Sequence, residues 1–310
     1  MWLRFTVFIA ALAVLLEREF YWRFKYPTKS PRKLNTAYDI IVVGAGSAGA
    51  ALATRLSENP KLSVLLLEAG TKGKAVPYAH IPGMAFFNFD TSIDWQFSTE
   101  PQKSSHGAYE NRTSKWVRGK VLGGTSVLNY MLHVRARRSD YERWAGKYDL
   151  HDWSWPQIEH YYRRLENYAD GNGIGRGRDG PIRAHKIRSA PVFKQLLRMA
   201  LEEMGEAFVE DNNLEDVGWG DSQMSIHEGK RQSTYATYLQ QARHRPNLHV
   251  AAAERVKLHS PYVLGLCSSL QQPLSKGAVS LASADWRQAP LIQPNYLSEH
   301  RDADVLVAGA

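Results

Sequence analysis

The feature that most constrains this chain is Gly44-Ala45-Gly46-Ser47-Ala48-Gly49, placed directly behind the apolar run Tyr38 to Val43. A strand, a tight turn and a helix are expected in that order. In such a unit Gly44 permits the turn, Gly46 lets the backbone approach a pyrophosphate, and Gly49 lets helix and strand pack, while the helix N-terminus favours the anion. Ala48, Ala51, Leu52 and Leu56 are expected to form one buried helical face, Asn59-Pro60 to end the helix, and Leu62 to Leu67 to form a second buried strand. Glu68 closes that strand 24 residues after Gly44, close to the roughly 20-residue offset at which an acidic side chain meets the ribose hydroxyls of a dinucleotide. An acid there argues against a 2′-phosphate, so NAD or FAD is expected rather than NADP.

Composition adds bounds. The 310 residues, 44% hydrophobic and 11% aromatic, suffice for the core of one large or two ordinary domains. The net charge is +8, but the basic residues are scattered. The local clusters Arg135 to Arg138 and Arg243 to Arg245 read as solvated faces, and no nucleic-acid motif accompanies them, so no nucleic-acid partner is expected. The single cysteine, Cys267, allows neither an intrachain disulfide nor a Cys-based metal site, and no metal is expected. Near the start, Phe5 to Leu16 is an apolar run of 12 residues, too short to span a bilayer comfortably. With Ala11-Leu12-Ala13 as a cleavage-site form, residues 1–16 read as a signal peptide and the protein as secreted or extracellular. The alternative is a short hydrophobic anchor, with membrane association through residues 1–33.

Residues 17–37 read as a linker with Pro27 and Pro31, and the first domain opens at Tyr38. Beyond Ala69 and Gly70 come long loops containing Asp94-Trp95-Gln96-Phe97, of the kind that carry function. A second glycine-rich element, Gly119-Lys120-Val121-Leu122-Gly123-Gly124-Thr125-Ser126, follows. Its paired glycines are expected to turn backbone N–H groups toward an anion or a flat ring, with Thr125 and Ser126 bonding phosphate oxygens or capping a helix. A plain turn is the alternative. Further on, Ser154 before Pro156 starts a helix running through Ile158 to Tyr168, with its tyrosines as packing residues. The glycines between Ala169 and Gly180 read as a flexible surface loop, Pro191 to Met204 as an amphipathic helix ended by Gly205, Thr234 to Ala242 as a short helix, and Asn247 to Ala251 as a strand returning to the nucleotide domain. Ala278 to Leu281 is the best strand beyond Leu258.

Together these blocks resemble the glucose-methanol-choline (GMC) family of flavin oxidoreductases, in particular its insect glucose-dehydrogenase-like branch. Tyr38 to Gly49 is similar to the family's opening strand and FAD pyrophosphate loop, and Leu65 to Gly70 to its ribose-binding strand end. Gly119 to Glu142 resembles the family's first signature, which Lys120, Gly123, Gly124, Thr125, Ser126, Asn129, Ala136 and Glu142 fit; His133 departs from it. The resemblance implies an α/β fold, a Rossmann-type FAD-binding domain with a truncated α+β substrate-binding domain. It places FAD on Gly44, Gly46, Ser47, Ala48, Gly49, Glu68, Ala69, Lys120, Gly123, Gly124, Thr125, Ser126, Asn129 and Met131. The FAD-binding domain is expected over 38–258, discontinuous and incomplete, and a fragment of the substrate-binding domain over 259–310. Between about Val256 and Pro261 the sequence jumps over a long stretch of the family pattern, including its second signature, and its stop at Ala310 is equally abrupt.

The resemblance implies oxidation of a CH–OH group in an alcohol or sugar, with the electrons passing to flavin and then to a quinone or oxygen. The family's catalytic base is a histidine near the C-terminus, and none of the 11 histidines here matches that block. His300 is expected to be a solvated loop residue, His249 a satisfied core histidine, and His133, close to the presumed flavin, a candidate for touching cofactor or substrate. Two expectations stand side by side: a GMC-type oxidoreductase, or a catalytically inactive FAD-binding remnant.

Overall fold

A computed structural model of the chain describes residues 34–71, 78–170, 175–187, 191–209, 218–252, 273–285 and 288–308. The expectations for residues 1–33 and for the junction near residue 258 lie outside them. Along the chain the elements are β1 (Ile40–Val43), α1 (Ser47–Leu56), β2 (Val64–Glu68), β3 (Phe97–Ser98), β4 (Lys115–Trp116), α2 (Arg138–Tyr148), α3 (Trp155–Leu165), β5 (Glu166–Tyr168) and β6 (Ile182–Lys186). They continue with α4 (Pro191–Glu203), β7 (Gln223–Met224), β8 (Ile226–His227), β9 (Lys230–Arg231), a π-helical turn at Tyr235–Leu239 running into α5 (Gln240–Ala242), β10 (Leu248–Ala252), β11 (Ala278–Ser280), β12 (Leu291–Gln293) and α6 (His300–Ala308).

The nucleotide-type unit forms as its periodicity dictates. β1, β2 and β10 make a parallel sheet with β2 in the middle, in the registers Ile40↔Val64 to Val43↔Leu67 and Leu248↔Val64 to Ala252↔Glu68. β10 thus returns to the first βαβ unit from almost two hundred residues away in sequence. One face of the sheet, carrying Val42, Val64, Leu66 and Val250, packs beneath Ala50 and Ala53 of α1 and beneath Tyr235 and Leu239 of the π-helical turn. On the other flank Ile41 is 55% and Val43 81% exposed, and β1 pairs only with β2 among the described residues. Parallel sheets are ordinarily covered on both faces, so this flank is the apolar surface that the described residues leave open.

The face of α1 differs from the expectation. Ala50, Ala53 and Thr54 are buried, whereas Leu52 is 51% exposed and Ala48 is also exposed. Small residues win the inner face because α1 lies close upon the sheet: a Cβ on Gly49 would fall on the Gly44 carbonyl. The helix also stops at Leu56, before Asn59-Pro60, with the Ser57 N–H closing back on Ala53 O at 3.1 Å.

A second sheet, β5-β6-β7, corrects three further expectations. α3 starts after Ser154 as expected but ends at Leu165, and Tyr168 lies in a strand. The strand is fixed by Glu166, whose backbone O accepts the Gly180 N–H at 2.9 Å, and by Tyr168 N–H on Gly177 O at 2.9 Å. The stretch 175–180 is therefore a tightly packed wrap rather than a flexible loop: Cβ atoms on Gly177 or Gly180 would strike the backbone of Arg163 or Leu165. Within the basic cluster at 135–138, Arg135 is buried, drawn in by the Glu166 carboxylate. By contrast α4 ends at Glu203, and Gly205 two residues on, at φ +77°, turns the chain away as expected.

Candidate functional site

The first glycine loop leaves β1 and enters α1. Gly44 sits at φ +93°, a conformation L-residues rarely adopt, and its N–H donates to Leu67 O at 2.8 Å, tying the loop to β2. Gly46 is different. Its φ of −70° and ψ of −166° suit any residue, and a Cβ built on it would meet nothing within 4 Å. Neither strain nor packing inside the protein requires glycine there; the space it keeps clear opens outward from the N-terminus of α1. No side chain caps that helix, so its first N–H groups, which lack intrahelical partners, face the same space with the positive end of the helix dipole. Ser47 and Ala48 are exposed beside it. Uncapped amides and a cleared approach fit the pyrophosphate of a dinucleotide.

Glu68, at the end of the central strand, is half-buried against this loop. Its Oε2 accepts the Ala45 N–H and its Oε1 the Gly70 N–H, both at 2.8 Å. Burial raises its pKa, while those two N–H groups and the nearby Lys120 oppose the rise. A carboxylate oxygen has more than one lone pair, so Glu68 can hold the loop and still accept a ribose hydroxyl. Ala69 beside it is exposed.

The second glycine block folds onto the first. Gly123 N–H donates to Ala45 O at 2.7 Å, Gly124 N–H donates to Val121 O at 2.7 Å, and a Cβ on Gly124 would stand 2.6 Å from the Cα of Gly46. At the other end, a Cβ on Gly70 would fall on Lys120 O. The paired glycines thus exist so that two backbone loops can touch, and their N–H groups are spent inside the protein rather than turned to a ligand. The hydroxyls follow suit: Thr125 Oγ1 accepts the Gly119 N–H at 3.1 Å, and Ser126 Oγ donates to Gly123 O at 2.6 Å and accepts the Thr234 N–H at 3.0 Å. Neither caps the short turn Gly124–Val127. Lys120 holds its ammonium 4.4 Å from the centre of the Trp95 ring. Asn129 Oδ1 accepts the N–H of Met131, a buried residue held at φ +62°. Residues 44–49, 68–70 and 119–131 therefore form one continuous surface.

Of the histidines singled out in the sequence, none is hydrogen-bonded to the glycine loops. His133 Nε2 lies 3.0 Å from Glu166 Oε2, inside a cluster where Arg135 and Arg176 also grip that carboxylate. That contact ties His133 to the Glu166 cluster. His249, in β10, bonds Tyr38 Oη through Nδ1 at 2.6 Å, so it is satisfied as expected but half-buried rather than in the core, and His300 is exposed at the start of α6. Sequence reasoning missed Arg231. Its guanidinium is buried behind Asn129, donating to that residue's O and Oδ1 at 2.6 and 2.7 Å and to Ala79 O at 2.8 Å. Those partners lie 102 and 152 residues away, and no local pattern could have announced them.

A parallel βαβ unit, a cleared helix N-terminus and an acid at the end of the second strand define a dinucleotide-binding domain of Rossmann type. Residues 38–275 match the GMC oxidoreductase family, and the chain belongs to that family, whose cofactor is FAD. It is 36% identical over 219 residues to mitochondrial choline dehydrogenase of Mus musculus, covering 68% of this chain and 36% of that protein. To glucose dehydrogenase [FAD, quinone] of Drosophila melanogaster it is 36% identical over 229 residues, covering 72% of this chain and 36% of that protein. Among solved structures, pyridoxine 4-oxidase from Mesorbium loti superposes with a TM-score of 0.63 at 30% identity, covering 70% of this chain and 42% of that one. The chain thus spans well under half the length of these relatives. GMC oxidoreductases act on alcohol or sugar-like substrates.

Proposed function

We propose that this chain binds FAD on the surface formed by residues 44–49, 68–70 and 119–131, and that its function is oxidation of CH–OH groups in the manner of a glucose dehydrogenase, with a quinone or oxygen as acceptor. The observation that carries the reading is Gly46, a glycine that neither strain nor packing within the protein demands, set where a pyrophosphate would approach the end of α1. When bound, FAD supplies the two-electron acceptor. The protein's own part is to bind and orient it: the α1 N-terminus for the pyrophosphate, Glu68 for the ribose, and the block from Gly123 to Met131 for the flavin. The same reading assigns residues 38–258 to the FAD-binding domain, 259–310 to a fragment of the substrate-binding domain, and residues 1–16 to a secretion signal.

A second reading, FAD binding without turnover, is favoured by the histidines. Among those the structure describes, His133 and His249 are engaged with protein partners and His300 is exposed far along the chain from the glycine loops. Reconstitution with FAD separates the readings. A flavin absorbance spectrum that bleaches anaerobically on adding an alcohol or aldose supports the oxidoreductase, a spectrum that persists supports the inactive binder, and failure to take up flavin contradicts both.

A further inference from the structure

Arg231 is the largest fully buried side chain of the described residues, 1% exposed, and it is held only by neutral oxygens: Ala79 O, Ser126 O, and the O and Oδ1 of Asn129. Its Nη2 is buried without an acceptor, and among the described residues no carboxylate stands within 4 Å of the guanidinium. The molecule pairs buried arginines elsewhere, since Arg135 and Arg176 share Glu166. A buried cation left with no counter-charge is expensive, and its location calls for a reason. The group it grips, Asn129, in turn holds Met131 in the left-handed conformation, while Met131 O accepts both the N–H of Ser225 at 2.8 Å and its hydroxyl at 3.1 Å. A non-glycine residue at positive φ persists only where its surroundings over-determine it.

We propose that Arg231 is a positioning residue for the flavin, locking the Asn129 to Met131 turn and holding an uncompensated positive charge behind it that favours the reduced, electron-rich cofactor. The inference rests on the reading that the Gly123 to Met131 block faces the flavin. Positive charge near an isoalloxazine tunes its electronics toward reduction, and a buried charge acts through a low dielectric. Arginine is required over lysine because only a planar fork bonds Ala79 O through Nε while its Nη1 meets both oxygens of Asn129.

The test is reconstitution of the full chain and its R231K and R231M variants with FAD, reading dissociation constants by flavin fluorescence and midpoint potentials by dye-equilibrated titration. R231M is expected to weaken FAD at least about tenfold and to lower the equilibrium constant for flavin reduction about tenfold, about 30 mV for a two-electron couple. R231K is expected to recover the potential but not the affinity. An R231M protein with unchanged affinity and potential overturns the proposal, as does an R231K protein whose potential falls as far as that of R231M. Should R231M fail to fold, N129D places a carboxylate against the guanidinium in situ and is expected to lower the potential likewise; an unmoved potential there overturns it. Flavin bound by the parent with unmoved variants refutes the role of Arg231 alone, whereas no flavin on the parent refutes the site itself.

Discussion

Two buried charged groups of this protein stand in opposite conditions. Glu166 is fully enclosed, yet every part of its carboxylate is answered: Arg135 and Gly177 N–H on Oε1, Arg176 and His133 on Oε2. Arg231 is equally enclosed and has only neutral oxygens to donate to. Burial together with the neighbouring Arg231 and Lys230 pushes His80 down to about 4, so that it stays neutral at physiological pH rather than adding a charge there. Two guanidiniums sharing one carboxylate weld β5, the wrap at 175–180 and the 133–135 segment together; Arg231, with no carboxylate within 4 Å among the described residues, stands behind the turn proposed to face the flavin and leaves its field for something else.

Removing Glu166 is the most damaging way to probe this contrast. Glu166→Ala would strand two buried arginines and is expected to cost about 3–5 kcal/mol, read by denaturant unfolding of the apoprotein. A loss below about 1 kcal/mol would show that the cluster is not the weld described.

Acid should reach the same cluster without mutation. Burial alone would raise the Glu166 pKa, but the His133 hydrogen bond and the charges of Arg176 and Arg135 outweigh it and bring it from 4.5 to about 2. Because the folded pKa is the lower one, its stabilisation is complete above about pH 4.5 and is lost as pH falls from there toward 2, on the order of 3 kcal/mol in all. Unfolding free energy followed across that window should fall in the parent and flatten in Glu166→Gln.

Between the two regions lies the contact of the glycine loops. Gly124 combines φ +52° with its approach to Gly46, so Gly124→Ala is expected to lose about 2 kcal/mol by overpacking and left-handed strain, and with it FAD affinity. A variant as stable as the parent would mean that the loops can separate freely. The smallest effect belongs to the ribose end: Glu68→Gln keeps the shape but weakens charge-assisted hydrogen bonds, and FAD affinity should fall by about 1.5 kcal/mol, roughly tenfold. Titration with FAD checks it, and equal affinity would remove Glu68 from the site.

Much of this was legible because it is written in short range. The Tyr38 to Gly49 pattern and the apolar run before Glu68 specify strand, turn, helix and strand from local periodicity alone, and Asn247 to Ala251 forms the strand expected of it. What was hidden depends on partners far along the chain. The inner face of α1 went to alanines because the helix approaches the sheet too closely for Leu52. The glycines at 123 and 124 looked like ligand-facing donors, yet their spacing answers to backbone contact with Ala45 and Gly46. Arg135 read as part of a solvated cluster because Glu166, which draws it inward, stands 31 residues away. Arg231 carried no local signal.

On the proposed reading, Gly46 is kept clear for a cofactor rather than for the fold. Gly46→Val, with FAD binding followed by flavin fluorescence and the apoprotein's melting followed alongside, tests it most directly. FAD retention is expected to be lost while the apoprotein loses no more than about 1 kcal/mol, the scale of a helix N-cap change. FAD bound at parental affinity by the valine variant would contradict it.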